Sequence, residues 1–246
     1  MTIIDSHVHL KHGDLAGTEY SAEAIVEVMD AAGIERSVVF AMSTTTARSI
    51  EMAQRAVEAF PERLISYVYA LPGFGGPVLA QLEHAIRGLG FRGIKIHAAE
   101  CLLEERVVGP VLELAAQEGV PCLIDCSGNW AAAERLARGF PRTRLILAHL
   151  GRYLCTDEGL IDRFIGIAQA HQNVYLDASG VVLTWKAAEA VRLLGAERVL
   201  FGTDGPHEQP DTCSFARMEL EKIAALHLSP REAEEVLGKA VLRLIG

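Results

Sequence analysis

The sequence predicts a (β/α)8 barrel, or TIM barrel, that residues 1–246 form as a single domain. Three observations support this prediction. Eight short runs rich in apolar and β-branched residues alternate with eight segments of helical periodicity. The runs begin roughly 23 to 35 residues apart, which leaves room for one helix after each strand. The length of 246 residues is close to that of a typical barrel of this kind.

Each predicted strand is a short apolar run that ends in a polar or glycine-rich turn. The first run closes with two histidines, and the fourth to eighth runs carry lysine, histidine or aspartate at or near their ends. In chain order the predicted strands cover residues 2–9, 37–42, 64–71, 93–97, 122–126, 145–150, 174–179 and 199–203.

Each predicted helix has apolar residues at helical spacing. In the first, Ser21 is a suitable N-cap, Ile25 and Met29 lie on one stripe, and Gly33 is a stop signal. The predicted helices cover residues 22–32, 47–60, 78–89, 107–118, 130–139, 160–170, 186–194 and 215–226. A last segment, 229–244, begins with an N-cap serine and a proline and has no strand after it, so it predicts a C-terminal closing helix.

Composition and charge limit the partners that we expect. The chain is 50% hydrophobic with a net charge of −9 and a pI of about 5.5, and it has no long basic block. These values argue against nucleic-acid and anionic-membrane binding and favour a small-molecule substrate. The acidic helices are compatible with a homodimer.

The N-terminal residues and the cysteines favour one cellular compartment, the cytoplasm. The first ten residues lack a basic start and an apolar region, and no apolar run reaches the roughly 18 residues of a membrane span. The five cysteines are odd in number and form no C-x-x-C pair, which is typical of reduced thiols. We therefore expect a cytoplasmic protein.

Ionisable residues are concentrated at the ends of the predicted strands. Barrel interiors favour valine, isoleucine and leucine, and barrel active sites lie at the carboxyl ends of the strands. The ionisable residues at strand ends are His7, His9, Lys95, His97, Asp125, His149, Asp177 and Asp204. His7 and His9 are two residues apart, so on a regular strand their imidazoles leave from one face and can converge on one ion.

Strand parity gives expectations for the side chains near these residues. If His149 points into the barrel, Leu145 and Leu147 should fill the layers beneath it, and an inward Asp204 brings Leu200 with it. Asp5 is expected one layer below the two histidines. The parity of the seventh strand, which carries Asp177, stays open.

Five motifs taken in series resemble the amidohydrolase-related metal-dependent hydrolases of the amidohydrolase superfamily. The resemblance covers nearly the whole chain, and its motifs occur in the family's order. They are Asp5-Ser-His-Val-His9, Met29-Asp-Ala-Ala-Gly-Ile34, Gly93-Ile-Lys-Ile-His97, Leu147-Ala-His-Leu-Gly151 and Phe201-Gly-Thr-Asp204. The tail 236–244 is also similar to the family's closing helix, with Lys239 where asparagine is usual.

The resemblance implies a metal site. By analogy with the family, His7, His9 and Asp204 are metal ligands and His149 polarises the substrate. Asp125 stands where the family has a ligand histidine; a carboxylate can still bind zinc, although manganese or iron also becomes suitable. The expected cofactor is one divalent ion, with zinc favoured. Some family members act without a metal.

Several residues are candidates for substrate binding. Lys95 is expected to be a cation facing an acidic site or an anionic substrate, or to carry a metal-bridging modification, as in other branches of the superfamily. His97 is a substrate-binding candidate and an alternative ligand, and Arg152 could hold a carboxylate. The aromatic side chains after the strands suit a flat substrate or cap the barrel: Phe74, Trp130, Tyr153 and Trp185.

The function expected from these features is metal-dependent hydrolysis. The substrate would be a lactone, amide or ester of a small metabolite, carboxylated or aromatic, with Asp204 accepting the proton of the attacking water and His149 stabilising the oxyanion. The alternative is a metal-dependent non-oxidative decarboxylase that resembles aminocarboxymuconate-semialdehyde decarboxylase. A metal-free lactonase and a catalytically silent barrel that binds a metabolite are also compatible with these residues.

Overall fold

The computed structural model describes residues 2–73 and 77–246, so Phe74 lies outside the described residues. Eight parallel strands form one sheet in sequential order from β1 to β8. The strands are β1 (Ile4–Lys11), β2 (Arg36–Ala41), β3 (Leu64–Tyr69), β4 (Gly93–His97), β5 (Cys122–Asp125), β6 (Leu145–Leu147), β7 (Val174–Asp177) and β8 (Val199–Leu200).

Backbone hydrogen bonds between the last and first strands close the sheet into a barrel. The amide of Ser6 donates to the carbonyl of Phe201 at 3.1 Å, and the amide of His9 donates to the carbonyl of Gly205 at 2.7 Å. Strands β6 to β8 are shorter than the sequence predicts because the chain leaves the sheet early in turns that carry polar side chains. The predicted (β/α)8 fold is confirmed.

A helix follows every strand, and two short helices end the chain. The helices are α1 (Ala22–Ala32), α2 (Thr46–Ala59), α3 (Val78–Glu83), α4 (Glu105–Glu118), α5 (Trp130–Gly139), α6 (Glu158–Ala170), α7 (Thr184–Leu194), α8 (Thr212–Ala224), α9 (Pro230–Glu234) and α10 (Ala240–Ile245). Helix α3 continues as a π-helical turn over His84–Gly88, and a second π-helical turn over Glu235–Lys239 joins α9 to α10. In the described part of the chain, no helix is both long and apolar enough to cross a membrane.

The closing segment plugs the amino-terminal end of the barrel. Val241 and Leu244 of α10 belong to one buried cluster with strand side chains that point into the barrel, among them Ile4 and Leu123. The chain comes so close to β1 here that a Cβ on Gly238 would lie 2.6 Å from the carbonyl oxygen of Thr2. The opposite end is left free for a site.

Truncation of Leu244 tests this plug. Leu244 is 2% exposed and Leu242, two residues earlier on the same helix, is 37% exposed. We expect Leu244→Ala to lower the free energy of unfolding by about 2 to 4 kcal/mol, because it leaves a cavity at the base of the barrel. Leu242→Ala should cost less than about 1 kcal/mol. Urea denaturation measures both, and equal losses would contradict the plug.

Candidate active site

A pocket of about 220 Å³ opens at the carboxyl ends of the strands. Six of the residues predicted from the sequence line it, together with His12, Asp14, Met42, Glu100 and Tyr153. The six are His9, Lys95, His97, Asp125, His149 and Asp204. His7 is fully buried and its ring lies 5.1 Å, centroid to centroid, from that of His149. The fold therefore brings most of the predicted polar residues to one place.

A bulge in β1 aims both of its histidines into the barrel. The pairing of β1 with β2 slips between Asp5 and Val8, and an extra residue reverses the alternation of side chains. As a result Ile4 and His7 both face the interior, while Asp5 shares a cleft with Val8 and Ile25 on the helix side. The expectation that Asp5 lies one layer beneath the histidines is wrong. Its carboxylate instead accepts hydrogen bonds from the Thr203 amide and hydroxyl, at 2.9 and 2.7 Å.

A tight turn after β6, rather than strand parity, brings His149 to the pocket. Residues 148–151 form a 3-10 turn in which His149 and Leu150 have positive φ angles of 60° and 49°. The interior residues of this segment are Ile146 and Ala148, so the expectation that Leu145 and Leu147 lie beneath His149 is wrong. The turn shifts the side-chain pattern by one residue. Strand parity from the sequence could not reveal this shift.

The Asp204 carboxylate is the point on which the β1 histidines converge. Its Oδ1 lies 3.0 Å from Nε2 of His7 and 2.9 Å from Nε2 of His9. The residue has a left-handed φ of 62°, and its amide donates to the His7 carbonyl at 2.8 Å. Burial alone would raise the pKa of Asp204, but the imidazoles of His149 and His7 outweigh it and hold the pKa well below its usual range. Asp204 is therefore an anion at neutral pH.

The two β1 imidazoles are held differently. Nδ1 of His7 donates to Oδ2 of Asp177 at 2.9 Å, which fixes the orientation of the ring and leaves its Nε2 3.0 Å from Oδ1 of Asp204. Burial lowers the pKa of His9 well below its usual value, so its ring is neutral. Nδ1 of His9 is buried without a hydrogen-bond partner among the described residues. Neutral imidazoles are the form of histidine that binds metal ions.

The donor atoms near Asp204 fit a divalent ion. Among the described residues, His7, His149 and Asp204 form a group in which one potential ligand atom from each lies within 4.8 Å of the others. His9 adds a further nitrogen at 2.9 Å from the carboxylate. Imidazole nitrogen and carboxylate oxygen are the donors that zinc prefers in such sites. The set of residues thus suits a metal ion.

Asp125 lies beside this group and makes contacts with other histidines. Its Oδ2 is 3.0 Å from Nε2 of His97 and 3.5 Å from Nε2 of His149, and its Oδ1 accepts from the Ser127 amide at 2.7 Å. Burial by itself would raise the pKa of Asp125, but hydrogen bonds from His149 and His97 outweigh it and the pKa falls below its usual range. Asp125 is therefore a counter-ion for His149 and a hydrogen-bond acceptor for His97.

Asp125 and Asp204 together set the charge of His149. Burial favours a neutral ring, but the two carboxylates outweigh it and raise the pKa of His149 to about 9. Nδ1 of the ring donates to the Ser179 carbonyl at 3.0 Å. His149 is therefore a cation at neutral pH, with its Nε2 proton directed toward the pocket and Asp125.

Lys95 is a buried cation at the floor of the site. Its Nζ is 3.0 Å from Nε2 of His7 and 5.1 Å from the centre of the Phe40 ring, and the residue is 1% exposed. Burial lowers the pKa of Lys95, although the attraction of Asp125 and Asp204 opposes this. The lysine thus contacts His7 and lies close enough to Asp125 and Asp204 to interact with their charges.

Two of the predicted substrate-binding residues lie away from the pocket lining. Arg152 is exposed, with its side chain beside Gly128. Trp130 is the first residue of α5 and is 37% exposed, with the guanidinium of Arg163 4.5 Å from its ring centre. Trp185 is likewise in the first turn of a helix, α7. Among the described aromatics that the sequence singled out, Tyr153 lines the pocket.

The sequence left two residues that shape the site undecided and missed a third. Asp177 orients His7, and Ser179 contacts His7 and His149; the undecided parity of β7 left both open. Glu100 lines the pocket after β4. Its position three residues beyond a strand end was the signal that could have identified it, because loops at this end form the active sites of such barrels.

The amidohydrolase family profile matches residues 4–246. The chain belongs to the amidohydrolase family. It is therefore an enzyme of that family, with the family's barrel fold. A comparison with curated proteins found no match.

Solved structures of this family share the whole fold of this amidohydrolase at low sequence identity. A probable 2-pyrone-4,6-dicarboxylic acid hydrolase from Acinetobacter baumannii, with citric acid bound, has a TM-score of 0.77 and 13% identity, covering 100% of both chains. An amidohydrolase from Burkholderia multivorans with bound zinc has a TM-score of 0.78 and 16% identity, covering 100% of this chain and 99% of that one. The 2,6-dihydroxybenzoate decarboxylase from Rhizobium has a TM-score of 0.71 and 17% identity, covering 99% and 98%.

The pKa of His149 gives a test of its environment. In protein freed of metal with a chelator, the ring should stay protonated up to about pH 9. Because this pKa is raised above the ordinary value of about 6.5, the stabilisation is fully present below pH 6.5 and is lost as the pH rises through 9. At most it amounts to roughly 3 kcal/mol. NMR titration of the imidazole and urea unfolding against pH measure the two effects.

Asp125→Asn should lower the pKa of His149 by about one unit or more and flatten the loss of stability between pH 6.5 and 9. Asp30→Asn is the matched control, since Asp30 lies in α1 and pairs with Arg63 on the surface. It should leave the titration of His149 unchanged. An unshifted His149 in Asp125→Asn protein would contradict the assignment of Asp125 as its counter-ion.

Proposed function

We propose that this amidohydrolase hydrolyses a lactone, ester or amide bond of a small molecule, with one divalent ion held by His7, His9 and Asp204. The observation that supports this proposal best is the convergence of two imidazoles from β1 on one carboxylate from β8, with the protonated His149 beside them. His9, His149 and Asp204 line an open pocket at this end of the barrel, and His7 is buried next to His149. Zinc is the ion that this donor set favours.

A bound zinc ion would supply a Lewis acid that polarises the substrate carbonyl and makes a water molecule more acidic. His9 is suited to hold it because burial keeps its ring neutral, and His7 presents its Nε2 to the same carboxylate at 3.0 Å. Asp177 fixes the ring orientation of His7 through Nδ1, and the same contact raises the basicity of Nε2. Asp125 has a different role in this proposal, because it is engaged with His97.

Asp204 is the proposed acceptor of the proton that the attacking water loses. Its Oδ1 is engaged by His7 and His9, whereas its Oδ2 lies 3.8 Å from Nε2 of His207. Because the carboxylate is ionised and lines the pocket, it can take a proton on Oδ2 and pass it to the leaving group.

His149 is the proposed stabiliser of the oxyanion. Its Nε2 lies 3.5 Å from Asp125, which is a long contact, and the proton can be shared with a substrate oxygen that approaches from the pocket. The raised pKa keeps this proton on the ring throughout the neutral range. Ser179 holds the opposite side of the ring in place.

A decarboxylase uses the same parts differently, since the substrate carboxylate then binds at the metal and Asp204 and His149 manage the proton that replaces carbon dioxide. Carbon dioxide release without incorporation of solvent oxygen would identify the decarboxylase instead.

Substitution of Asp204 tests the catalytic part of the proposal. We expect Asp204→Asn to lower kcat/KM for any hydrolysed lactone or ester by about 10³-fold, because the proton acceptor is lost. The substrate panel should include simple lactones and aryl esters. Asp30→Asn, which changes the same group on the surface, should keep full activity. A fully active Asp204→Asn protein would contradict the proposed role.

Elemental analysis tests the metal part. The purified protein, after incubation with zinc or manganese, should hold about one equivalent of ion. His7→Ala and Asp204→Ala should lose most of it, whereas Asp125→Ala should retain it because Asp125 is engaged with His97. Less than about a tenth of an equivalent in the wild type would remove the metal mechanism. It would leave the metal-free lactonase or the silent binding barrel.

A further inference from the structure

The pocket is lined mainly by acidic side chains, and their charge favours some substrates over others. Four carboxylates line the pocket, from Asp14, Glu100, Asp125 and Asp204, whereas Lys95 is its one lysine. Among the residues that the structure describes, no arginine lines it. Asp125 and Asp204 are paired with imidazoles, so the carboxylates left facing a substrate are those of Asp14 and Glu100.

Glu100 is fixed in the pocket wall by groups from two neighbouring strands. Its Oε2 accepts a hydrogen bond from the Tyr69 hydroxyl at 2.6 Å, and its Oε1 accepts one from the Ser43 hydroxyl. Burial, followed by the hydrogen bond to Glu100, raises the pKa of Tyr69 above its usual value, so Tyr69 remains a donor. Each carboxylate oxygen keeps a free lone pair.

The turn that carries Glu100 is also held in place. Its amide donates to the carbonyl of His97 at 3.1 Å, and the amide of Ala99 donates to Nδ1 of the His97 ring at 3.0 Å. Glu100 is therefore a preorganised acceptor on the β2, β3 and β4 side of the mouth. His149 and Asp204 lie across the pocket, after β6 and β8.

The two lysines near this end of the barrel, Lys11 and Lys95, are already engaged. Lys95 is 1% exposed and contacts His7. Lys11 donates to the Gly17 carbonyl at 2.8 Å and lies 3.7 Å from Glu19. A substrate carboxylate beside Glu100 would therefore be repelled by its negative charge, whereas an ammonium group would be stabilised there.

From these contacts we propose that the substrate carries an amine or another cationic group distal to the bond that is cleaved, and that Glu100 is the residue that recognises it. This inference rests on the proposed hydrolysis at Asp204 and His149, and it adds the substrate class. Glu100 is a specificity residue in it, because it faces the distal group and not the reacting atoms.

Binding of three ring ketones that cannot be hydrolysed tests the inference without turnover. The probes are cyclopentanones that carry an ammonium, a methyl or a carboxylate group on carbon 3. Calorimetry on the wild-type protein should show the ammonium probe binding at least about tenfold more tightly than the carboxylate probe. Tighter or equal binding of the carboxylate probe, or no binding of any probe, would overturn the inference.

Variants at Glu100 assign the preference to that side chain. Glu100→Gln should reduce the ratio of the two affinities to within about threefold, and Glu100→Lys should reverse it. Glu62→Gln is the control, because Glu62 is an exposed residue just before β3, at the other end of the barrel. The ratio should stay unchanged in this control. A ratio that survives in both Glu100 variants would overturn the assignment.

Hydrolysis of the matching lactones separates this inference from the proposed function. The substrates are γ-butyrolactones with the same three groups on the β carbon. If the ammonium lactone is hydrolysed fastest, the result supports both the proposed hydrolysis and the amine preference. Fastest hydrolysis of the carboxylate lactone supports hydrolysis and overturns the amine preference. An ammonium preference in binding, with no lactone cleaved, supports the substrate class and counts against the proposed hydrolysis.

Discussion

The buried contact of Asp204 with His7 and His9 is the constraint on which the rest of the site depends. A carboxylate at 9% exposure has to be paired, and here both partners come from the strand at the other side of the seam that closes the barrel. Two further hydrogen bonds stabilise the same seam. The Asp204 amide donates to the His7 carbonyl, and the Thr203 amide donates to the Asp5 carboxylate. Closure of the fold and assembly of the donor atoms therefore depend on one set of contacts.

The other carboxylates of the site have separate electrostatic roles. Asp177 orients His7, Asp204 and Asp125 together keep His149 protonated, and Asp125 also pairs with His97. Glu100 stands apart from these imidazoles because hydroxyl groups hold it, which leaves its charge directed at the pocket. This division explains how the site can contain a neutral His9 and a cationic His149 a few ångströms from one carboxylate. It also explains why the carboxylates of the inner pocket are paired with imidazoles, whereas Glu100 leaves the outer pocket acidic.

Much of this arrangement could be predicted from the sequence, and the exceptions have identifiable causes. The alternation of apolar runs with helical segments predicts all eight strands, and strand ends predict the pocket residues, because both depend on local pattern. The side on which Asp5 lies depends on a bulge, which only the pairing of β1 with β2 determines. His149 reaches the pocket through positive φ angles that no residue type there requires. The hydrogen bond from Tyr69 to Glu100 joins residues 31 apart in the chain, so no local sequence pattern predicts it.

The most direct test of the account is the position of a metal ion in crystals of the zinc-loaded protein, determined by anomalous diffraction at the zinc edge. The account predicts one peak about 2.0 to 2.2 Å from Nε2 of His7, Nε2 of His9 and a carboxylate oxygen of Asp204. A peak bound instead by Asp125 and His97, or no peak at the mouth of the barrel, would contradict it.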